Sequence, residues 1–147
     1  MNRINQITRR KIFILGVAVV SLLVSAGLTA AYTKADLEKL KTSKTCEGCN
    51  LRGANLSKAD LANANLSKAD LTGANLAGAN LSKADLSGAK LVDTVLSKSD
   101  LSGAKLINAN LSGAYLTDVN LSGADLTGAT WTDGIACKAG SLGKCTK

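Results

Sequence analysis

The chain has 147 residues, a length that suits one domain, and it carries 18 Lys and Arg against 11 acidic residues. It has no His, which removes the commonest general base and metal ligand, and aromatic residues make up only 3% of it, too few for an ordinary globular core. The formal net charge is +7, but residues 49–133 contain seven basic residues and eight Asp, so the excess of positive charge comes from the rest of the chain. A nucleic-acid-binding surface on residues 49–133 is therefore not expected.

Residues 1–31 have the composition of an export segment. Four basic residues precede an apolar run over residues 12–24, and small residues follow it. We expect a signal peptide that is removed after export. The alternative is an uncleaved membrane anchor, because residues 12–31 are long enough to span a bilayer. The pair Arg9 and Arg10 also resembles a twin-arginine signal, although paired Arg residues are common in ordinary signal peptides.

Residues 32–45 are predicted to form an N-terminal cap. Thr33 followed by Asp36 resembles the N-cap arrangement of a helix. Leu37 and Leu40 are three residues apart, as they would be on one helix face. A short helix here would cover the end of the domain that follows, and a polar linker is the alternative.

Residues 46–133 are organised by a large apolar side chain at every fifth position, which we name the central position. The residue two before it, the inner position, is small and usually Ala. The residue just before the central position is usually Asn or Asp, the one after it is usually Ser or Thr, and the next, the corner position, is usually Gly or Lys. The central residues are Leu51, Leu56, Leu61, Leu66, Leu71, Leu76, Leu81, Leu86, Leu91, Leu96, Leu101, Leu106, Leu111, Leu116, Leu121, Leu126 and Trp131.

A period of five fits neither a helix of 3.6 residues per turn nor a strand whose side chains alternate every two residues. The pattern requires a coil in which each repeat forms one side and then turns, with the central and inner residues facing inward. Gly, Asn or Asp at most corners, Asp133 included, tolerates positive φ. Four corners hold Lys instead, so the sequence predicts that the corner does not strictly require positive φ. These residues are Lys58, Lys68, Lys83 and Lys98.

The repeated unit A-(N/D)-L-(S/T)-(G/K), from Cys49 to Asp133, resembles the repeat of the pentapeptide-repeat family. The resemblance implies an all-β fold, a right-handed quadrilateral β-helix with four repeats per coil. Residues twenty apart would stack at about 4.8 Å, which makes a rod about 20 Å long. The resemblance also implies a C-terminal capping tail over residues 134–147, with Trp131 as a broad lid over the last coil.

The four cysteines form two pairs that are close in sequence, Cys46 with Cys49 and Cys137 with Cys145. Because export implies an oxidising compartment, we favour two local structural disulfides. A zinc site built from all four thiolates is an alternative that would need both ends of the rod to meet, and buried free thiols are another. A redox role for the first pair would need a thioredoxin-like setting, which the sequence lacks.

Stacking at twenty residues also places opposite charges above one another on the outer faces. Exposed pairs of this kind contribute only ~0 to 1 kcal/mol each, so a solvated charged face is the favoured interpretation. The stacked charges are Asp70 with Lys90, Lys98 with Asp118, and Lys105 with both Asp85 and Asp125.

One outer patch departs from the repeat and is a candidate partner surface. Val95 and Tyr115 share a column in which Asn is usual, and Val92 lies at the preceding side. We name these three residues the lateral patch. Random drift in a tolerant repeat is the alternative. Thr94 and Ser99 put hydroxyls inward in the same region and need backbone hydrogen-bond partners.

The sequence predicts no catalytic residue, metal site or cofactor, because an interior filled by Leu and Ala leaves no cleft with converging polar groups. The leading prediction is a non-catalytic structural or protein-interaction scaffold in the periplasm or thylakoid lumen. Its partner would be an unknown protein, without nucleic acid, and with membrane contact only through residues 12–31 if they are uncleaved. A gyrase-binding DNA mimic is the alternative, disfavoured by the export segment and the near-neutral array. An ice-binding role would rest on the hydroxyl column Ser82, Ser102 and Ser122.

Overall fold

The computed structural model describes residues 31–147, so the predicted export segment lies outside the described residues except for Ala31. One helix, α1 (Lys34–Ser43), precedes a coil whose sides are joined by parallel bridges between residues twenty apart. The bridges run from the pair Thr45 and Asn65 to the pair Asn110 and Thr130. A constant offset of twenty residues with a repeat of five gives four repeats per coil.

Each side of the coil contributes a single bridged residue, and residues 31–147 contain no longer strand. The sides of the expected β-helix are therefore isolated bridges and not continuous strands, because the chain turns directly after each bridge. The bonds between coils are nevertheless regular. Leu51 N–H donates to Asp70 C=O at 2.8 Å, Gly53 N–H to Thr72 C=O at 2.9 Å, and Asp70 N–H to Cys49 C=O at 2.9 Å.

The corner position has positive φ at every repeat from Gly48 to Gly128, whether or not it is Gly. Lys58 has φ 58° and Lys83 has φ 57°, close to the 65° of Gly53. The prediction that corners do not require positive φ was therefore wrong. Each corner lies in a turn closed by a bond such as Ala54 N–H to Leu51 C=O at 3.1 Å, and the bonds to both neighbouring coils hold this turn in place.

Replacing Lys83 with Gly is expected to raise the free energy of unfolding by about 0.5–1 kcal/mol, because Gly adopts positive φ without a steric penalty. Within residues 31–147 the Lys83 ammonium makes no ion pair or hydrogen bond that the change would remove. The control is Gly73→Ala, which has φ 66° and open space around the added Cβ, and which should lower stability by about 1 kcal/mol. Denaturant titration measures the free energy of unfolding of both variants. A destabilised Lys83→Gly variant would contradict the positive φ at Lys83.

The interior of the coil is filled by the central and inner residues, as predicted. The central Leu residues from Leu66 to Leu111 are completely buried, and Ala fills most of the inner positions between them. Two inner positions carry hydroxyls, and both find backbone partners: Thr94 donates to Leu71 C=O at 2.8 Å, and Ser99 to Leu96 C=O at 2.6 Å. Among the described residues no buried side-chain nitrogen or oxygen lacks a hydrogen-bond partner. The core is therefore apolar with its few polar groups satisfied.

Helix α1 begins at the predicted N-cap, where Thr33 Oγ1 accepts the Asp36 N–H at 3.2 Å. Leu40 is completely buried in the core cluster that contains the first coil, and Leu37 packs against it. The extended residues before the helix also bind the first coil, because Thr33 N–H donates to Asn50 C=O at 3.1 Å. These contacts cover one side of the first coil.

The tail after Trp131 returns antiparallel over the last coil. Isolated bridges join Thr130 with Ala136 and Asp125 with Leu142. Trp131, the predicted lid, is only partly buried, because the chain turns back beside it through a bond from its N–H to Ile135 C=O at 2.8 Å. The repeat therefore ends before Asp133. That residue was expected at a corner, but the positive φ, 80°, falls on Gly134 instead.

Candidate interaction surfaces

The Asn or Asp before each central residue has a local structural role that the sequence analysis missed. Its side-chain oxygen accepts the N–H two residues ahead, for example Ala77 N–H to Asn75 Oδ1 at 3.0 Å. The signal was present in the sequence as Asn or Asp at a fixed distance before the turn. The acceptors are Asn50, Asn55, Asp60, Asn65, Asp70, Asn75, Asn80, Asp85, Asp100, Asn110, Asn120 and Asp125.

The residue two ahead lowers the pKa of these Asp carboxyls through its hydroxyl and its backbone N–H. The hydroxyl of Ser87, followed by its backbone N–H, lowers the pKa of Asp85 below 3.8. The backbone N–H of Ser102 is the first cause of the lowered pKa of Asp100. At Asp70 partial burial is the largest influence and raises the pKa, but the donors around it outweigh that effect and the net pKa is lowered. The carboxylate form is therefore favoured in the folded chain.

Stability is expected to fall as the pH falls below about 4, since the unfolded chain takes up protons before the folded one does. The folded pKa values lie below the ordinary value of 3.8, so the stabilisation is present above 3.8 and is lost as the pH falls through the folded values. Thermal unfolding between about pH 5 and pH 2 measures it. The double variant Asp85→Asn, Asp100→Asn keeps the acceptor oxygens and should make the pH dependence shallower, since Asp70 and other Asp residues with lowered pKa remain. A wild-type unfolding midpoint that does not move with pH would contradict the lowered pKa values.

The predicted charge columns form only in part. Lys90 Nζ lies 3.9 Å from Asp70 Oδ2, and Lys105 Nζ lies 4.0 Å from Asp85 Oδ2, both with the Lys exposed. The expected pairing of Lys98 with Asp118 is absent, and so is that of Lys105 with Asp125, as judged from residues 31–147. Such long, exposed pairs contribute little stability, so these faces are mostly solvated charge.

The lateral patch is present as an exposed stack on one side of the coil. Val95 and Tyr115 are bridged directly, and Tyr115 is 61% exposed. Val92 and Val95 are half-buried. Val95 has no side-chain oxygen, and the phenol oxygen of Tyr115 makes no hydrogen bond to the turn ahead of it, so this side lacks the local bond of most other repeats and exposes apolar surface instead. The lateral patch is therefore a small apolar surface that is open to solvent at Tyr115.

The four cysteines lie in the local pairs that the sequence analysis favoured. The sulfur atoms of Cys46 and Cys49 are 2.10 Å apart, and those of Cys137 and Cys145 are 2.06 Å apart, both at bonding distance. Cys46 and Cys49 belong to the buried core of the first coil. The described part of the chain contains no cluster of acidic residues and cysteines that could hold a metal ion. In residues 31–147, no helix has the length and apolar character that crossing a membrane requires.

The profile of pentapeptide repeats matches residues 45–78, 59–97 and 94–130, with eight copies of the repeat. The chain belongs to the pentapeptide-repeat family. The resemblance read from the repeated unit is thereby confirmed, and with it the right-handed β-helix in which members of the family fold. The search of curated proteins gave no match.

Solved structures of pentapeptide-repeat proteins are similar to this one. The protein alr5209 from Nostoc PCC 7120 is 41% identical over 65% of this chain and 80% of its own, with a TM-score of 0.59. Rfr23 from the cyanobacterium Cyanothece 51142 is 35% identical over 65% of this chain and 82% of its own, with a TM-score of 0.53. A pentapeptide-repeat protein from the Arabidopsis thaliana thylakoid lumen is 29% identical over 71% of this chain and 86% of its own, with a TM-score of 0.39.

Proposed function

We propose that this pentapeptide-repeat protein is a non-catalytic scaffold that presents the rigid outside of its β-helix to another protein. The observation that carries the proposal is the filled interior: central Leu and inner Ala residues occupy it from Leu51 to Ala129. A chain whose core is closed in this way has only its outer faces and its two ends with which to recognise a partner.

The outer polar groups support a scaffold and not an enzyme, because they already form hydrogen bonds within the coil. Asn and Asp side chains before the central Leu residues are engaged in turns of their own side of the coil, as with Asp100 and Ser102 at 2.9 Å. Catalysis needs polar groups that converge on one substrate atom, and groups spread in columns along flat sides do not converge. Neither a nucleophile with an adjacent base nor a cofactor is part of this proposal.

Export to a periplasm or thylakoid lumen is the second part of the proposal. It is supported by the signal-like composition of residues 1–31 and by two cysteine pairs at bonding distance, since disulfides persist in oxidising compartments. An uncleaved segment would leave the scaffold attached to a membrane through residues 12–31. A gyrase-directed DNA mimic would need a dense acidic face, whereas the Asp residues here alternate with Asn and Lys, as in the column Asp60, Asn80 and Asp100.

Fractionation of the native cells combined with a pull-down tests the proposal. The protein should be recovered outside the cytosol without its first residues, and purified protein should retain one specific protein partner. If the lateral patch is the contact, the double variant Val95→Asp, Tyr115→Asp loses that partner, while Ile107→Ser on another side keeps it. Recovery in the cytosol with residues 1–31 intact would overturn the export proposal, and a double variant that keeps the partner would exclude the lateral patch.

A further inference from the structure

The last coil of the β-helix is covered on only two of its four sides. The tail pairs with the sides that contain Asp125 and Thr130, and Gly143 comes close to the backbone of Leu121 and Gly123, but in the part of the chain that the structure describes no segment pairs with the sides from Ala114 to Gly123. We name residues 114–123 the open edge. The effect on burial is direct: Leu101 is fully buried, whereas Leu121, one coil further along in the same column, is only partly buried.

The open edge carries backbone N–H and C=O groups that have no hydrogen-bond partner among the described residues. In the previous coil the N–H groups of Leu96 and Lys98 donate to Tyr115 C=O at 3.0 Å and to Thr117 C=O at 2.8 Å. The N–H groups one coil later have no acceptor within residues 31–147, and neither Ala114 C=O nor Val119 C=O has a donor there. Four N–H groups at positions that donate to the next coil elsewhere are therefore unmet here, those of Leu116, Asp118, Leu121 and Gly123.

The tail shows how an edge of this kind is covered. The neighbouring side, which the tail covers, presents the same pattern of backbone groups as an open side: two carbonyls flank two N–H donors. The antiparallel tail satisfies all of them. Leu126 N–H donates to Ser141 C=O at 2.8 Å, and Gly128 N–H donates to Cys137 C=O at 3.1 Å. In return, Ala129 C=O accepts the Cys137 N–H at 2.7 Å and Ala124 C=O accepts the Gly143 N–H at 2.8 Å.

Apolar side chains gather at the same end of the protein. Tyr115 is 61% exposed, Leu142 is 63% exposed and Ile135 is 50% exposed, and Tyr32 is the one further large apolar residue that is exposed among residues 31–147. Leu116, Val119 and Leu121 beside them are only half-covered. Apolar surface next to unpaired backbone is the combination found where an extended segment adds to a sheet edge.

We propose that the open edge receives an extended segment of a partner protein by antiparallel strand addition. The proposal deepens the scaffold role, on which it rests, by naming the end of the rod rather than its sides as a docking site. The incoming segment would supply backbone carbonyls to the four N–H groups and an apolar side chain to cover Val119. It would also carry positive charge, because Asp118, the charged residue of the open edge itself, has no ion-pair partner among the described residues.

A second copy of this chain fits the open edge less well than a separate segment does. Among the groups that pair with the next coil elsewhere in the β-helix, the edge has four unmet donors and two unmet acceptors, so two such edges brought together about a two-fold axis would set N–H groups against N–H groups. Burying an unsatisfied N–H costs about 1–3 kcal/mol, which works against that dimer. A segment with free carbonyls carries no such penalty.

Hydrogen exchange measured by NMR on the purified full chain tests the proposal with a defined probe. The probe is a synthetic peptide of residues 135–147, closed by its Cys137–Cys145 disulfide, because this segment already covers an edge with the same pattern of donors and acceptors. At ten times the dissociation constant, exchange at the four unmet amides should slow about tenfold. Val119→Ser, which copies Ser99 of the previous coil, should weaken peptide binding several-fold, and Ile107→Ser should leave it unchanged.

Three results would each overturn the proposal. Unchanged exchange at all four amides with about 1 mM peptide would show that the edge does not accept a strand. Slowed exchange at Leu126 and Gly128 alone would show that the peptide only replaces the tail. Protection of the four amides before any peptide is added, together with the sedimentation mass of two chains, would assign the edge to a second copy. The pull-down of the native partner does not use the peptide, so it tests the scaffold role separately from the open edge.

Discussion

Replacing Leu101 with Ala is expected to lower the free energy of unfolding by about 3–5 kcal/mol. Leu101 is completely buried, with the coils of Leu81 and Leu121 on either side of it in its column. The bonds between coils, such as Leu101 N–H to Asn120 C=O at 2.8 Å, hold the backbone in place. The chain therefore cannot collapse into the cavity, and the penalty should lie at the upper end of the range for such changes.

The matched control for this prediction is Leu121→Ala. Leu121 occupies the same column one coil later, but no further coil follows it and it is only partly buried. The same substitution should cost about half as much or less, because water already reaches the side chain and little new cavity forms. Denaturant titration of both variants gives the comparison. Equal losses would show that the end of the β-helix is covered, and a loss below about 1 kcal/mol at Leu101 would show that the interior is not packed.

Breaking the Cys137–Cys145 pair is expected to cost about 2–3 kcal/mol. The two cysteines are eight residues apart and hold together the tail that covers Leu126 and Gly128. Without the bond, the loop between the cysteines gains conformational freedom in the unfolded chain and the tail is free to lift from the last coil. The double variant Cys137→Ser, Cys145→Ser should therefore unfold at a lower temperature and expose the amides of Leu126 and Gly128 to exchange.

The first cysteine pair provides the comparison for the second. Cys46 and Cys49 are only three residues apart, so their bond closes a smaller loop and should contribute less, about 2 kcal/mol. Differential scanning calorimetry of the two double variants, with the wild type in reducing buffer, measures both contributions. A Cys137→Ser, Cys145→Ser variant that unfolds at the same temperature as the oxidised wild type, and whose Leu126 amide is still protected from exchange, would contradict a stabilising role for the tail.

The arrangement of the interior was readable from the sequence because it depends on spacing alone. A leucine at every fifth position with a small residue two before it can face inward only if the chain turns once per repeat. Leu51 and Ala54 accordingly lie in the core. The number of repeats per coil did not follow from the spacing but from the family resemblance, and the bridge from Asn75 to Val95 shows that it is four.

The corner was misread because residue preference was given more weight than the hydrogen bonds that surround it. Lys normally avoids positive φ, so four Lys corners were interpreted as evidence that the backbone there is variable. In the structure Lys98 has φ 60°, within a few degrees of Gly103 at 65°. The bonds that fix the corner, such as Lys98 N–H to Thr117 C=O at 2.8 Å, involve backbone atoms only, and the residue type does not change them.

The open edge could not be predicted from the repeat because it depends on the path of the tail. Residues 134–147 were expected to cover the last coil, but nothing in their sequence specifies which of its sides they reach. The tail covers the sides of Asp125 and Thr130 and leaves those of Tyr115 and Asn120 free. The pairing of Lys98 with Asp118 likewise depends on side-chain conformations that a stacking pattern does not determine.

Methyl NOE spectroscopy of Leu-labelled protein tests the central claim, that the leucines of successive coils stack as the dry filling of the β-helix. The methyl groups of Leu86 should show strong contacts to those of Leu66 and Leu106, twenty residues away on either side, and no cross-peak to water. Contacts from Leu86 to leucines only at the spacings of a helix, or a strong water cross-peak in the middle of the array, would contradict it.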